Sequence, residues 1–171
     1  MPKTSTRVQD ALNEQINHEF TSYYAYLAIH AYLETTPYAG FSSWMLAQAE
    51  EEKLHAMKIF NYLNDRGGKV TLRVIEQPKT DFSTPLEIFK TSLAQEAKVT
   101  QQINELYEIA REEKDFATQE FLGWFLTEQV EEEKSAQDWV DRLELAGDRV
   151  EALFLLDAEA AKRPTEAETE A

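Results

Sequence analysis

The stretch RGGKVTLRVIEQPKTDFSTP, Arg66 to Pro85, decides the architecture. It is rich in glycine and proline, and on both sides of it apolar residues recur at alternating three- and four-residue spacing, the period of an amphipathic helix. Residues 67–83 number 17, too many for a turn between antiparallel helices, which takes about two to eight. Extended at about 3.3 Å per residue they reach about 55 Å, more than the roughly 45 Å length of a 30-residue helix. A connection of that reach runs the whole length of a bundle. It predicts two helical hairpins joined by one crossover.

The remaining breaks agree with this. ETTPYAG (Glu34 to Gly40) and AGD (Ala146 to Asp148) punctuate the other long periodic runs. The expected elements are α1 over 6–34, α2 over 39–66, α3 over 84–113, α4 over 115–146 and a short α5 over 149–162. Ser83 or Thr84 is placed to cap α3 with Pro85 at its first position, and Asp148 to cap α5. The polar tail RPTEAETEA lacks any large apolar residue, so 1–163 is expected to form one domain and 164–171 a disordered acidic tail.

Composition narrows the function. A chain of 171 residues, 43% hydrophobic, can bury one substantial core. No apolar run reaches the roughly 18 residues of a membrane span and the N-terminus lacks a secretory signal, which predicts a soluble, cytoplasmic protein with no membrane partner. The absence of cysteine excludes zinc ribbons, thiolate nucleophiles and cysteine-held clusters, so any metal sits on oxygen and imidazole. A formal charge of -15, from 32 acidic and 17 basic residues, argues against nucleic acid as a partner.

The core stripes of the four helices are interrupted in a common way. On α1 the stripe runs Leu12, Ile16, Glu19, Tyr23, Tyr26, His30, Leu33. On α2 it runs Phe41, Met45, Gln48, Glu52, His55, Ile59, Tyr62. On α3 it is Phe89, Leu93, Glu96, Thr100, Ile103, Tyr107, and on α4 Leu122, Phe125, Gln129, Glu132, Ala136, Trp139, Leu143. Each stripe holds one glutamate. At 1.5 Å rise per residue, Glu19 and Glu52 differ by only about 3 Å in depth, and Glu96 and Glu132 level similarly, so the four fall near one layer.

A single glutamate on a stripe ordinarily reaches out to solvent, and a lone ExxH arises by chance. Four carboxylates at one depth, with no lysine or arginine on the stripes, are another matter. Burying an unpaired carboxylate costs several kcal/mol even after relaxation. A pair of divalent cations is the economical remedy, and His55, one turn from Glu52, adds a nitrogen ligand. In the AEEEKLHAMKIF segment, Glu50 then belongs to the solvated flank, Glu52 and His55 to the site, and Glu51 lies between. His18 is expected at the surface and His30 as a packed or capping residue. Trp44, Trp124 and Trp139 are expected in packing or interfaces, whereas Tyr26 stands two turns from Glu19 on its stripe. Carboxylates with one imidazole suit Mn, Fe or Zn.

NEQINHEF, AEEEKLHAMKIFNYLNDRG, LAQEAKVTQQINEL and FLGWFLTEQVEEEKSAQDWVDRLELAG together resemble, in order, the four helices of non-haem bacterial-type ferritins over roughly 8–160. A single ExxH on α2 with QVEE, Gln129 to Glu132, on α4 distinguishes this pattern from di-iron bundles with two ExxH motifs. The resemblance implies an all-α, ferritin-like four-helix bundle with a short C-terminal fifth helix, in a 24-subunit shell storing ferric mineral. It implies Glu19, Glu52 and His55 on one iron and Glu52, Glu96 and Glu132 on a second, with Gln129 beside the latter. Glu51, Glu128 and Glu131 match a third iron site, and Tyr26 a tyrosine that donates an electron during O2 reduction. Lys53 stands where bacterioferritin carries its haem-ligating methionine, so no haem is expected. Val150, Leu153, Phe154 and Leu156 would pack around a fourfold axis. The rival readings are a di-iron oxidase or peroxidase without mineral storage, a smaller DNA-protecting shell, and a metal-free structural bundle.

Overall fold

The computed structural model describes residues 4–163; the tail expected over 164–171 lies outside them. Five helices follow one another: α1 Thr6–Leu33, α2 Ala39–Asp65, α3 Pro85–Glu112, α4 Phe116–Ala146 and α5 Val150–Ala160. Helices α1 and α2 form one hairpin, α3 and α4 the other, and α1 packs on α3 across the bundle. No helix among the described residues is long and apolar enough to cross a membrane.

The caps follow from local chemistry. The Ser5 hydroxyl accepts from the Val8 amide, and the Thr84 hydroxyl from the Glu87 amide with Pro85 next to it. Asp115 caps α4 through the Thr118 amide, after a tight turn in which Lys114 takes φ 55°. One end is capped by tertiary contact instead. Helix α2 has no side-chain cap of its own. Its Phe41 amide donates to Asp157 Oδ1 of α5 at 2.8 Å, and a Cβ on Gly40 would stand 1.8 Å from the Asp157 carbonyl oxygen. Asp148 does not cap α5: Arg149 occupies that position and makes no side-chain cap. Its guanidinium turns back to the Ala146 and Leu145 carbonyls at 2.9 and 2.7 Å, sealing the end of α4.

The crossover lies along α1. Asn13 pins its start, donating to the Lys69 carbonyl at 3.0 Å and accepting from the Thr71 amide at 2.7 Å. Phe82 is buried near its end, its carbonyl accepting from the Tyr32 hydroxyl.

The core comes in two parts. One is built from Val8, Leu12, Ile16, Ile59, Leu63, Val99, Ile103, Leu106, Leu122 and Phe125. The other holds Tyr26, Ile29, Leu33, Phe41, Trp44, Met45, Phe89, Trp139 and Leu143. On each of α1 to α4 the residues between the two parts are polar and buried: Glu19 and Ser22, Glu52 and His55, Ser92 and Glu96, Gln129 and Glu132. The α4 stripe is buried along its whole expected length. On α1 and α3 the expected stripe needs correction: Ser22 and Ile29 are buried in place of Tyr23 and His30, and Ser92, Val99 and Leu106 in place of Leu93, Thr100 and Tyr107. On α2 Leu63, rather than Tyr62, closes the stripe.

Candidate metal centre

The polar layer is shut off from bulk solvent. Glu19, Glu52, Glu96 and His55 are each at most 2% exposed, and Glu132 is 6%. The mid-helix positions of these residues bring them together, since each helix crosses the layer once and its stripe turns one glutamate inward.

Each carboxylate is held by a defined donor. Gln15 Nε2 donates to Glu19 Oε1 at 2.7 Å. Gln48 Nε2 stands between Glu52 and Glu132, donating to both at 3.1 and 2.9 Å. The Tyr26 hydroxyl donates to Glu96 Oε1. Gln129 Nε2 lies 3.4 Å from Glu96 Oε2 and 3.3 Å from both the Glu96 carbonyl and Thr100 Oγ1. His55 is clamped by Trp124 and Phe125, with ring centroids at 5.3 and 5.9 Å.

These donors leave specific atoms unsatisfied. Glu19 Oε2, Glu52 Oε2 and His55 Nε2 are buried without a hydrogen-bond partner, although a buried acceptor left unpaired costs about 1–3 kcal/mol. Glu19, Glu52 and His55 each bring a ligand atom within 4.8 Å of the others. Two carboxylates and one imidazole that converge in this way, with Glu52 Oε2 4.0 Å from His55 Nδ1, fit a divalent cation by donor chemistry. A second group, Glu51, His55, Glu128 and Glu132, converges within the same limit.

The electrostatics tell the same story. Burial, opposed by the Gln15 hydrogen bond, pushes Glu19 up to about 7. Burial likewise pushes Glu96 up to about 7 against the Tyr26 and Gln129 hydrogen bonds, and Glu132 to about 7 with help from the charge of Glu96. Glu52 is driven well above the carboxylate range by burial and by Glu96, Glu19 and Glu132. Burial lowers His55 to about 4, so its imidazole is neutral and available as a ligand near neutral pH. Tyr26 is raised well above its ordinary value by burial and by Glu96. The layer therefore holds protons where cations could sit.

The expected residues are distributed as follows. Glu19, Glu52 and His55 form one tight group. Glu96 stands in the same layer, bound to Tyr26 and Gln129, while Gln48 rather than direct approach links Glu52 to Glu132; like-charged carboxylates keep apart unless a donor or cation stands between them. Glu51 and Glu128 join His55 and Glu132, whereas Glu131 is exposed and outside both groups. His18 is half-buried rather than at the surface, 3.5 Å from Gln15 Oε1. His30 is packed, its Nδ1 2.9 Å from Ser42 Oγ. Trp44 and Trp139 are buried, while Trp124 lies under Lys58 with the ammonium 3.9 Å from the ring centroid. Two contributors were not singled out in the sequence. Gln48 sat on the α2 stripe as an amide without a role. Arg163, beyond every helix, gave no signal at all, yet it reaches Gln48 and Glu51.

Comparison with known proteins agrees with this architecture. The Ferritin-like domain family matches residues 9–146. The bacterial non-heme ferritin of Staphylococcus aureus (strain USA300) is 46% identical over 159 residues, covering 93% of this chain and 96% of the relative. That of Staphylococcus epidermidis is 48% identical over 153 residues, covering 90% and 92%. Among solved structures, an open pore ferritin from the hyperthermophilic archaeon Archaeoglobus fulgidus superposes with a TM-score of 0.94 at 44% identity, covering 96% of this chain and all of the other. A mutant of the Archaeoglobus fulgidus ferritin engineered to a closed form gives a TM-score of 0.93. A crossover bundle with a fifth helix, a layer of four buried glutamates and one histidine, and sequence likeness over nearly the whole length place the chain in the ferritin family of iron-storage proteins, among the bacterial non-haem ferritins.

Proposed function

We propose that the chain is a ferroxidase: it binds Fe(II) as substrate at an intra-subunit pair of sites, oxidises it with O2, and stores the Fe(III) product as mineral inside a shell of 24 subunits in the cytoplasm. The observation that carries this reading is the convergence of Glu19, Glu52 and His55, all buried and each with one side-chain atom that lacks a hydrogen-bond partner. Glu19 and His55 hold one iron. Glu96 and Glu132 hold the other, with Glu52 shared.

The protein's part in the reaction is placement and proton handling. Each Fe(II) gives one electron, so a pair delivers two to one O2 without a radical leaving the site. Entry of two dications exchanges protons held on the raised carboxyls for metal charge. Gln15, Gln48 and Gln129 are neutral donors that fix carboxylate orientation without competing charge. Tyr26, its hydroxyl on Glu96, is placed to supply a further electron. Glu51 and Glu128 hold a third iron position beside His55 and Glu132, with Glu131 as an outer carboxylate on the same helix. No haem takes part, as Lys53 offers no thioether.

Stopped-flow absorbance after mixing metal-free protein with aerobic Fe(II) tests the reading. A fast phase that saturates at about two irons per subunit, followed by mineral growth in a soluble particle, is expected. Glu52→Ala removes the shared ligand and abolishes the fast phase; a fast phase of full amplitude in that variant refutes the assignment. The second reading, a di-iron oxidase or peroxidase without storage, predicts the fast phase but no mineral.

A further inference from the structure

Three residues beyond the end of α5, the Arg163 side chain folds back onto the metal layer. Its Nη1 donates to Gln48 Oε1 at 2.7 Å, its Nη2 pairs with Glu51 Oε2, and its guanidinium carbon lies 4.3 Å from the Trp44 ring centroid. The pair is largely sheltered, with side-chain exposures of 21% for Arg163 and 15% for Glu51. The backbone is fixed by the Arg163 amide on the Ala160 carbonyl at 3.2 Å, and α5 by Asp157 on the start of α2.

Two consequences follow from this fork. Because Gln48 Oε1 accepts from the guanidinium, Gln48 Nε2 must face Glu52 and Glu132; the reversed amide would set its oxygen against two carboxylates and its N–H groups against a cation. Glu51 is also one of the four residues of the second metal group. A cation there therefore competes with the guanidinium for the Glu51 carboxylate.

We propose that Arg163 is a resident counter-ion of the Glu51–Glu128 position, which a divalent cation must displace, and that through Gln48 it is a positioning residue for Glu52 and Glu132. The inference rests on the reading of the layer as a divalent-cation centre. Filling of the outer position is thereby made harder than filling of the buried pair, and it loosens the amide that holds the pair's carboxylates. Loading is ordered: the buried positions first, the Glu51 position last.

Co(II), which is stable to air at these ligands and reports geometry through its visible absorption bands, tests this on the assembled full chain by titration with parallel calorimetry. Wild type is expected to take about two Co(II) per subunit tightly and a third weakly. Arg163→Ala should leave the first two in number but tighten the third about tenfold, with a changed band pattern as Gln48 loses its anchor. Arg163→Lys should keep the weak third site, because the charge remains, yet show the changed bands, because an ammonium does not reproduce the guanidinium fork. Arg163→Gln, which keeps a donor without charge, should tighten the third site in a chain that folds should the alanine variant not. A third affinity unchanged or weakened in both uncharged variants overturns the proposal while two tight sites leave the centre standing. No saturable Co(II) binding in wild type overturns the centre itself.

Discussion

Binding of a redox-inert dication should expel protons from the layer, in numbers that depend steeply on pH. Glu19, Glu96 and Glu132 are raised to about 7, and Glu52 is driven up in the same direction by burial and by its carboxylate neighbours. A group with a pKa of about 7 is roughly nine-tenths protonated at about pH 6 and one-tenth at about pH 8. Two Zn(II) per subunit should therefore release about three protons from Glu19, Glu96 and Glu132 at about pH 6 but fewer than one from them at about pH 8, and Glu52, raised in the same direction, adds to the release. His55 adds none, since burial keeps it neutral at both values. The count is read by calorimetry in buffers of different ionisation enthalpy, or directly by pH-stat. Glu19→Gln should lower the release at about pH 6 by about one proton, since its amide stays neutral. The same linkage fixes stability without metal. The carboxyls are raised from 4.5, so the folded state binds more protons than the unfolded one, and stability falls as pH rises through about 7. Each such group accounts for on the order of 3 kcal/mol over the full window. His55, lowered from 6.5 to about 4, acts with the opposite sign and only between those values. A release that stays at or below one proton at about pH 6 refutes the reasoning: the carboxylates would then be ionised already, held by something other than protons.

Other outcomes follow from single contacts. Tyr26→Phe leaves Glu96 Oε1 without its hydroxyl donor and should cost about 1–2 kcal/mol in the metal-free protein, measured by denaturant titration, with slower Fe(II) oxidation. Gly40→Ala drives a methyl group into the Asp157 carbonyl, 1.8 Å from the new Cβ, so α5 should detach and amide exchange over Val150–Ala160 should accelerate. Arg66→Ala removes two hydrogen bonds of 3.1 Å to Asp115, which caps α4, and should destabilise the α2 and α4 ends by about 2 kcal/mol in thermal unfolding.

The crossover was legible because glycine, proline and sheer length leave few other ways to join two hairpins. The glutamate layer was legible because a charge on a core stripe is conspicuous, and depth follows from counting residues at a fixed rise. The choice between adjacent stripe positions was not. Spacings of three or four from Glu19 allow Tyr23 or Ser22; the position of α3 decides, with Gln95 donating to Ser22 Oγ at 2.7 Å. Contacts made by chain far away in sequence were equally hidden. Asp157 as the cap of α2 and Arg163 on Gln48 lie 116 and 115 residues from their partners, and no local pattern encodes where α5 folds back. Glu128 and Glu131 look alike on the α4 pattern, yet only Glu128 is drawn in with Glu132.

The division of the core by a polar stratum has a consequence for cooperativity. The two apolar halves meet across a layer held by a few side-chain hydrogen bonds instead of apolar packing, so without metal the coupling between them is expected to be weak. Each half can open with its own free energy, and native-state hydrogen exchange should resolve two protected blocks, Val8–Ile16 with Ile59–Leu63 in one and Ile29–Leu33 with Phe41–Met45 in the other. Dications held by residues of both hairpins, as proposed above, would join the blocks into a single unfolding unit. The cargo would then act as a rivet, and a loaded subunit is expected to resist unfolding as one body.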